Sequence, residues 1–269
     1  MRKIFYYILP VLAVCMAMLT ACDNVPEDER LIYVKPAAVS RAVLIEDFTG
    51  QRCLNCPDAT AAIHQLQQQY GDSVVIAVAI HSGPFAWNAR HTSTMPLWTA
   101  EGDAYYDYWN IEHQPMGMVS RQAPSDYPTW AAQVYEQIQH TAPVSVRLNA
   151  TVDANDRQLE VNTSMMAVDG AVAGKLQLWL VEDSIVSPQI MPDGSGVSDY
   201  VHNHVFRTSI NGSWGEDVAM AEGETVAREA TITVSDDYNL AHLRVVAFVY
   251  NSTGVLQATQ QRLEISNYK

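Results

Sequence analysis

The sequence predicts an α/β unit followed by an all-β sandwich, and three observations carry that prediction. From Arg41 to Ile80 an apolar run, a helical repeat and a second apolar run follow one another, as in a strand–helix–strand unit. From Pro143 onward the texture changes to short alternating runs separated by polar turns, with no helix-length apolar period. Between the first strand and the first helix stand two cysteines three apart, Cys53 and Cys56.

In chain order, the first element is a leader. Met1-Arg2-Lys3 is basic, Ile4 to Thr20 is nearly all apolar, and Leu19-Thr20-Ala21-Cys22 matches the bacterial lipobox. Residues 1–21 therefore read as a signal peptide, excluded from fold reasoning, and Cys22 as the lipidated first residue of the mature chain. A single transmembrane helix is the rival reading, but the apolar stretch is borderline for the roughly 20 residues that spanning takes. Two or more acyl chains on Cys22 hold a protein stably at a membrane where one does not. Residues 22–40, with Pro26 and Pro36 and little periodicity, read as a tether ending in a short edge strand.

Ala42 to Ile45 reads as a buried strand and Asp58 to Tyr70 as a helix, with Ala59, Ala62, Ile63, Leu66 and Tyr70 on one face. Gly71 ends it, and Val74 to Ile80 fits a strand covered on both faces. A helix over Thr99 to Trp109, a short strand over Met116 to Ser120 and a last helix over Tyr127 to Gln139 complete a unit spanning residues 41–140. Residues 143–269 follow as the sandwich, read as immunoglobulin-like. Its strands begin with the hairpin Val144 to Thr163 and continue with Lys175 to Val181, Glu224 to Val234, Leu243 to Tyr250 and Val255 to Ile265. In Lys175 to Val181, Leu176, Leu178 and Leu180 share the inward face, and Trp179 falls on the other, under a neighbouring segment or in a contact surface.

Composition excludes several functions. The chain has 269 residues, 48% of them hydrophobic and only 17% charged, so cores are ample and long disordered arms are excluded. The formal net charge is −14, and loss of the leader removes Arg2 and Lys3 and no acid. An acidic chain is no partner for nucleic acid, which is bound by clustered Lys and Arg. Attachment to the membrane is expected through the covalent anchor at Cys22, not through charge.

Two cysteines between a strand and a helix read as a redox pair. A helix N-terminus offers unpaired N–H groups and a partial positive charge, which favour the thiolate. Cys53 would attack a substrate disulfide and Cys56 would resolve the mixed disulfide. Pro57 suits the first helical turn, where no N–H is missed. The competing reading is a small structural disulfide or idle thiols. A loop this short contributes only about 2 kcal/mol, against about 3 for fifteen residues, so a staple is a poor reason for the pair. Zinc needs four ligands and no second cysteine pair exists, so no metal or other cofactor is predicted. His202 and His204 would share one side of an extended segment, as a metal pair or as ordinary polar groups.

With Asp47-Phe48 placed shortly before Cys53 and Gln114-Pro115 opening a later strand, this segment resembles the thioredoxin superfamily. The resemblance implies that Asp47 assists proton transfer to Cys56 and that Pro115 is a cis-proline facing the cysteines and orienting the substrate chain. The hairpin such proteins carry after that proline has little room here, which implies a short or reshaped one. The segment Tyr200 to Arg207, followed by Asn211-Gly212-Ser213-Trp214-Gly215, is similar to a lipoprotein family of Bacteroidetes named for a twenty-eight-kilodalton outer-membrane protein. That resemblance implies an outer-membrane location, on the periplasmic or the cell-surface face.

Two functions follow as expectations. One is a lipid-anchored thiol–disulfide oxidoreductase acting on disulfide- or thiol-containing envelope proteins. The other is a surface binding or scaffold lipoprotein whose thioredoxin-like unit is a non-catalytic platform. An exposed Cys53 beside a cis-Pro115 would favour the first, and burial of Cys53 under the second half of the chain would favour the other.

Overall fold

A computed structural model describes residues 35–87 and 96–266. The leader, Cys22 and most of the tether lie outside the described residues. From Pro36 the chain forms one compact unit that is mostly β-sheet, with three α-helices among the described residues.

The first strands are β1 (Val39–Ser40), β2 (Val43–Thr49), β3 (Val75–His81), β4 (Met116–Val119) and β5 (Thr141–Ala142). Between them lie the helices α1 (Cys56–Tyr70), α2 (Ala100–Tyr108) and α3 (Trp130–Ile138). The long strands β6 (Val144–Asp153), β7 (Gln158–Ala167) and β8 (Val172–Glu182) follow. Short pieces β9 (Ile185–Val186), β10 (Gln189–Ile190), β11 (Gly196–Val197) and β12 (Val201–His202) lead to β13 (Val205–Ser209) and β14 (Glu216–Met220). The chain ends in β15 (Thr225–Thr233), β16 (Leu243–Asn251), β17 (Gly254–Arg262) and β18 (Glu264–Ser266).

One eight-stranded sheet runs β17-β16-β8-β13-β3-β2-β4, with β14 also paired to β8. The strand that joins the two halves is β13. It lies parallel to β3, Val205 opposite Ala79, and antiparallel to β8. A second sheet runs β15-β7-β6-β18.

Alternation along these strands sorts most of the apolar side chains into three large cores, beside a small cluster of Leu97, Ile185 and Val205. Val43, Ile45, Val75 and Ala77 face α1 and α3, meeting Ala59, Ile63, Trp130 and Val134. Leu44, Phe48, Ile76 and Ile80 face the opposite way, with Tyr105 of α2, Trp179, Phe206 and Phe248. Leu176, Leu178 and Leu180 point with Val245 of the neighbouring β16 to the second sheet, in one core with Val161 and Met165 of β7. Trp179 is fully buried on the other face, its ring 4.9 Å from Phe248 and 5.2 Å from Phe206. Of the two settings open to it, burial under a neighbouring segment is the one found.

Several boundaries differ from expectation. The first strand runs on through Glu46 and Asp47 to Thr49, because both carboxyl side chains are buried in it. Helix α1 starts at Cys56, two residues early, since Pro57 has no N–H to lose in the first turn. A 3-10 turn, Tyr127–Thr129, holds Pro128 before α3 begins at Trp130. The hairpin after β4 is short: Gly117 and Ser125 exchange N–H···O bonds of 3.0 and 2.8 Å, and nothing longer forms. Among the described residues no helix is long and apolar enough to cross a membrane.

Candidate functional site

The site lies where β2, β3 and β4 end together. Their register sets Thr49 opposite His81 and Phe48 opposite Met116, so Pro115 enters β4 beside the end of β2. The loop Gly50 to Asn55 then turns into α1. Cys53 N–H donates to the Gly50 carbonyl at 3.0 Å, and Cys53 and Cys56 are joined in a disulfide with Cα atoms 5.4 Å apart.

Neighbouring loops hold this turn. The Gln114–Pro115 bond is cis. The buried Gln114 side chain donates to the carbonyls of Thr49 at 2.8 Å and Ser82 at 3.0 Å, tying the ends of three loops together. Arg52 N–H donates to the Phe85 carbonyl at 3.0 Å, and its guanidinium to that of Pro84. Gly50 permits this approach, because a Cβ there would meet the Phe85 carbonyl carbon at 2.4 Å and the Ala86 nitrogen at 2.6 Å. Those are backbone atoms that cannot rotate away. Gly50→Ala is therefore expected to cost about 1–3 kcal/mol by overpacking, read as a lower urea midpoint with an unchanged slope.

Asp47 points to the α1 side of the sheet. It is 1% exposed, and its Oδ1 has no hydrogen-bond partner among the described residues. Burial pushes its carboxyl up to about 7. It lines a cavity of about 420 Å3 together with Pro57, Thr60, His64, Tyr200 and His204. A carboxyl that ionises near neutrality beside the helix carrying Cys56 can both give and take a proton there.

The geometry meets one half of the discriminating expectation and fails the other. Pro115 is cis, yet Cys53 is 2% exposed, as is Cys56. The cover comes from the second half of the chain. Between β8 and β13 a hairpin reaches back over the loop, and Gln189 Nε2 donates to the Cys53 carbonyl at 3.0 Å. Nothing local in the sequence marks Gln189 as a neighbour of Cys53, which lies 136 residues away.

The two histidines of the His202-Asn203-His204 segment do not pair. His202 is buried edge-on to His81, ring centroids 5.2 Å apart, with Nε2 3.2 Å from the Ser187 carbonyl. His204 adopts φ 59° and turns to the Asp183 carboxylate. The positive φ breaks the extended alternation that would have aligned the rings. Among the described residues no group of three or more His, Cys, Asp or Glu side chains could hold a metal ion. Burial lowers both His81 and His202, the latter to about 4, so both are neutral at pH 7.

Comparison with known proteins adds the following. A family model described as outer membrane protein Omp28 matches residues 102–267. No curated protein sequence matches the chain. Among solved structures, HBP35 of Porphyromonas gingivalis is similar at a TM-score of 0.67 and 17% identity, over 87% of this chain and 80% of that one. A protein of Agrobacterium tumefaciens is similar at a TM-score of 0.54 and 14% identity, over 86% of this chain and 100% of that one. At these identities the likeness is one of fold.

Proposed function

From a chain that belongs to the outer membrane protein Omp28 family, we propose a lipid-anchored protein that exchanges thiols and disulfides at Cys53–Cys56. In this reading residues 41–140 are a thioredoxin-like unit and residues 143–269 an immunoglobulin-like one, held at the outer membrane through Cys22. The observation that carries it is the Cys53–Cys56 disulfide at the head of α1, together with the cis Gln114–Pro115 bond, whose Gln114 side chain ties the end of β2, from which the disulfide loop leaves.

The exchange balances as two displacements. A substrate thiolate attacks Cys53 Sγ, the Cys53–Cys56 bond breaks, and Cys56 leaves as a thiolate that takes a proton from Asp47. The substrate's second thiolate then attacks its own sulfur in the mixed disulfide and releases Cys53 as a thiolate. Two electrons have passed from the substrate dithiol to the protein disulfide. The reverse sequence reduces a substrate disulfide, and the reduction potential of the pair sets which direction runs. In this reading Pro115 orients the substrate chain, and a proline with no N–H leaves that edge free of a competing donor.

The test is reductive turnover of insulin disulfides by the full chain in detergent, with a thiol reductant supplying electrons. Cys53→Ser is expected to fall to the uncatalysed background. Equal rates for parent and variant would remove the exchange reading. A second reading, a docking protein with an inert disulfide, is favoured by the burial of Cys53. It predicts background turnover for the parent as well.

A further inference from the structure

The hairpin between β8 and β13 is built like a flap. Its base rung pairs Val201 with Val186 and His202 with Ile185. Its outer rung pairs Gln189 with Val197 and Ile190 with Gly196. Beyond that, Pro192 to Ser195 form an exposed tip.

The flap meets the disulfide loop through polar contacts that a polypeptide ligand could reproduce. Ile190 N–H donates to the Gln51 carbonyl at 2.8 Å. The Gln189 side chain donates to the Cys53 carbonyl at 3.0 Å and to that of Ile190 at 2.9 Å. Nearer the base, His202 packs on His81, and the Tyr200 ring lies 4.8 Å from that of His202. The base is thus anchored by buried rings, while the outer rung is held by few bonds and carries an exposed tip. A segment with a firm base and a lightly bonded end opens locally at much less cost than global unfolding.

A main-chain N–H of an extended segment donating to a carbonyl beside a cleft is how strand-like peptides are recognised. Resting on the exchange reading above, we propose that Gln189–Ile190 is an internal stand-in for the substrate. The substrate is an extended polypeptide segment, and it reaches Cys53 by displacing the outer rung of the flap while the base at Tyr200 and His202 stays seated. The buried Cys53 and the cis-Pro115 then belong to one mechanism: the site is assembled but occupied by its own chain.

The experiment reads access to Cys53 directly. In the full chain carrying Cys56→Ser, the rate of Cys53 alkylation by iodoacetamide is followed by mass spectrometry of the peptide bearing it. Adding Gln189→Ala and Ile190→Pro removes the side-chain donor and the N–H that hold the outer rung. Alkylation is expected to rise at least about tenfold, as a low-cost opening becomes the resting state. An unchanged rate would overturn the proposal. Hydrogen exchange gives a second reading that needs no flap variant. Trapping a cysteine-containing peptide on Cys53 as a mixed disulfide should deprotect the Ile190 amide and leave that of Ser187 protected. Retained protection at Ile190 would equally overturn it. Alkylation does not depend on turnover, so faster alkylation with insulin turnover at background would reject exchange and keep the flap.

Discussion

Arg121→Ala is expected to destabilise the protein by about 3–5 kcal/mol at neutral pH, the cost of stranding one member of a buried ion pair. Glu46 and Arg121 have side chains only 1% and 2% exposed. Arg121 Nε and Nη2 both donate to Glu46 Oε1 at 3.2 Å. The guanidinium also lies 4.1 Å from the Tyr250 ring centroid and 4.7 Å from that of Phe248. Aromatic faces attract a desolvated cation, so the truncation removes that attraction too. Burial already raises the Glu46 carboxyl, while the Arg121 charge and hydrogen bonds oppose the rise. Without Arg121 only the raising influence remains. A group raised in the folded state penalises stability increasingly as pH climbs through its folded value. The deficit of Arg121→Ala relative to the parent should therefore be largest near pH 8 and shrink toward pH 4. Urea unfolding of both proteins across that range checks it, and a deficit independent of pH would mean that Glu46 is not the group left stranded. The double change Arg121→Met with Glu46→Gln should recover part of the loss, because no uncompensated charge is then buried.

The second large effect has the opposite sign. Asp47→Asn is expected to stabilise the protein at pH 8 and to leave it nearly unchanged at pH 4. Burial raises the carboxyl from 3.8 to about 7. Between those two values the folded state binds the proton and the unfolded state releases it, so stability falls as pH rises through that window. The gap corresponds to at most roughly 4 kcal/mol, the linkage value of about 1.4 kcal/mol per pH unit taken over the window. An amide that never ionises escapes the penalty. Denaturant unfolding at pH 4 and pH 8 tests this, and a variant no more stable than its parent at pH 8 would show that Asp47 ionises there without cost. The same variant should slow insulin turnover if Asp47 supplies the proton to Cys56. A residue that costs stability when charged and speeds reaction is the pattern expected of a buried functional acid.

The Lys175–Asp217 pair is a useful contrast. Its Nζ–Oδ1 distance of 2.7 Å is shorter than any contact of the buried pair, yet the side chains are 39% and 88% exposed. Solvent screens such a pair, and its removal should be nearly silent.

How far these features are legible in the sequence depends on the range of the interaction that creates them. Helix α1 and strand β3 could be read because their patterns follow periods of 3.6 and 2 within a few residues of each other. Cys53 and Cys56 could be singled out because a strand, a tight loop and a helix N-terminus fix their neighbourhood locally, whereas Asp47 and Pro115 could be named only through the resemblance of the segment to a known superfamily. Glu46 sits among the same residues and gave no signal. Its partner Arg121 comes 75 residues later, in a turn of left-handed backbone at Ser120 and Arg121 that no local pattern announces. The extent of β2 is hidden by the same cause, since two adjacent carboxyl residues end an apolar strand pattern and nothing nearby in the chain announces that Arg121 will pair with Glu46.

Alternation, helical period and short spacing, read from residues alone, determined that the chain has a strand–helix–strand start, a β-rich remainder and a cysteine pair at a helix head. Tertiary structure alone decided that β13 enters beside β3 to make one sheet of both halves, that Trp179 is sealed under Tyr105 and Phe248, and that Gln189 closes over Cys53. The reason is physical. Secondary-structure patterns record which side of an element is apolar, but not which distant surface will cover it. That choice is made by packing and hydrogen-bond partners brought together only when the chain closes on itself.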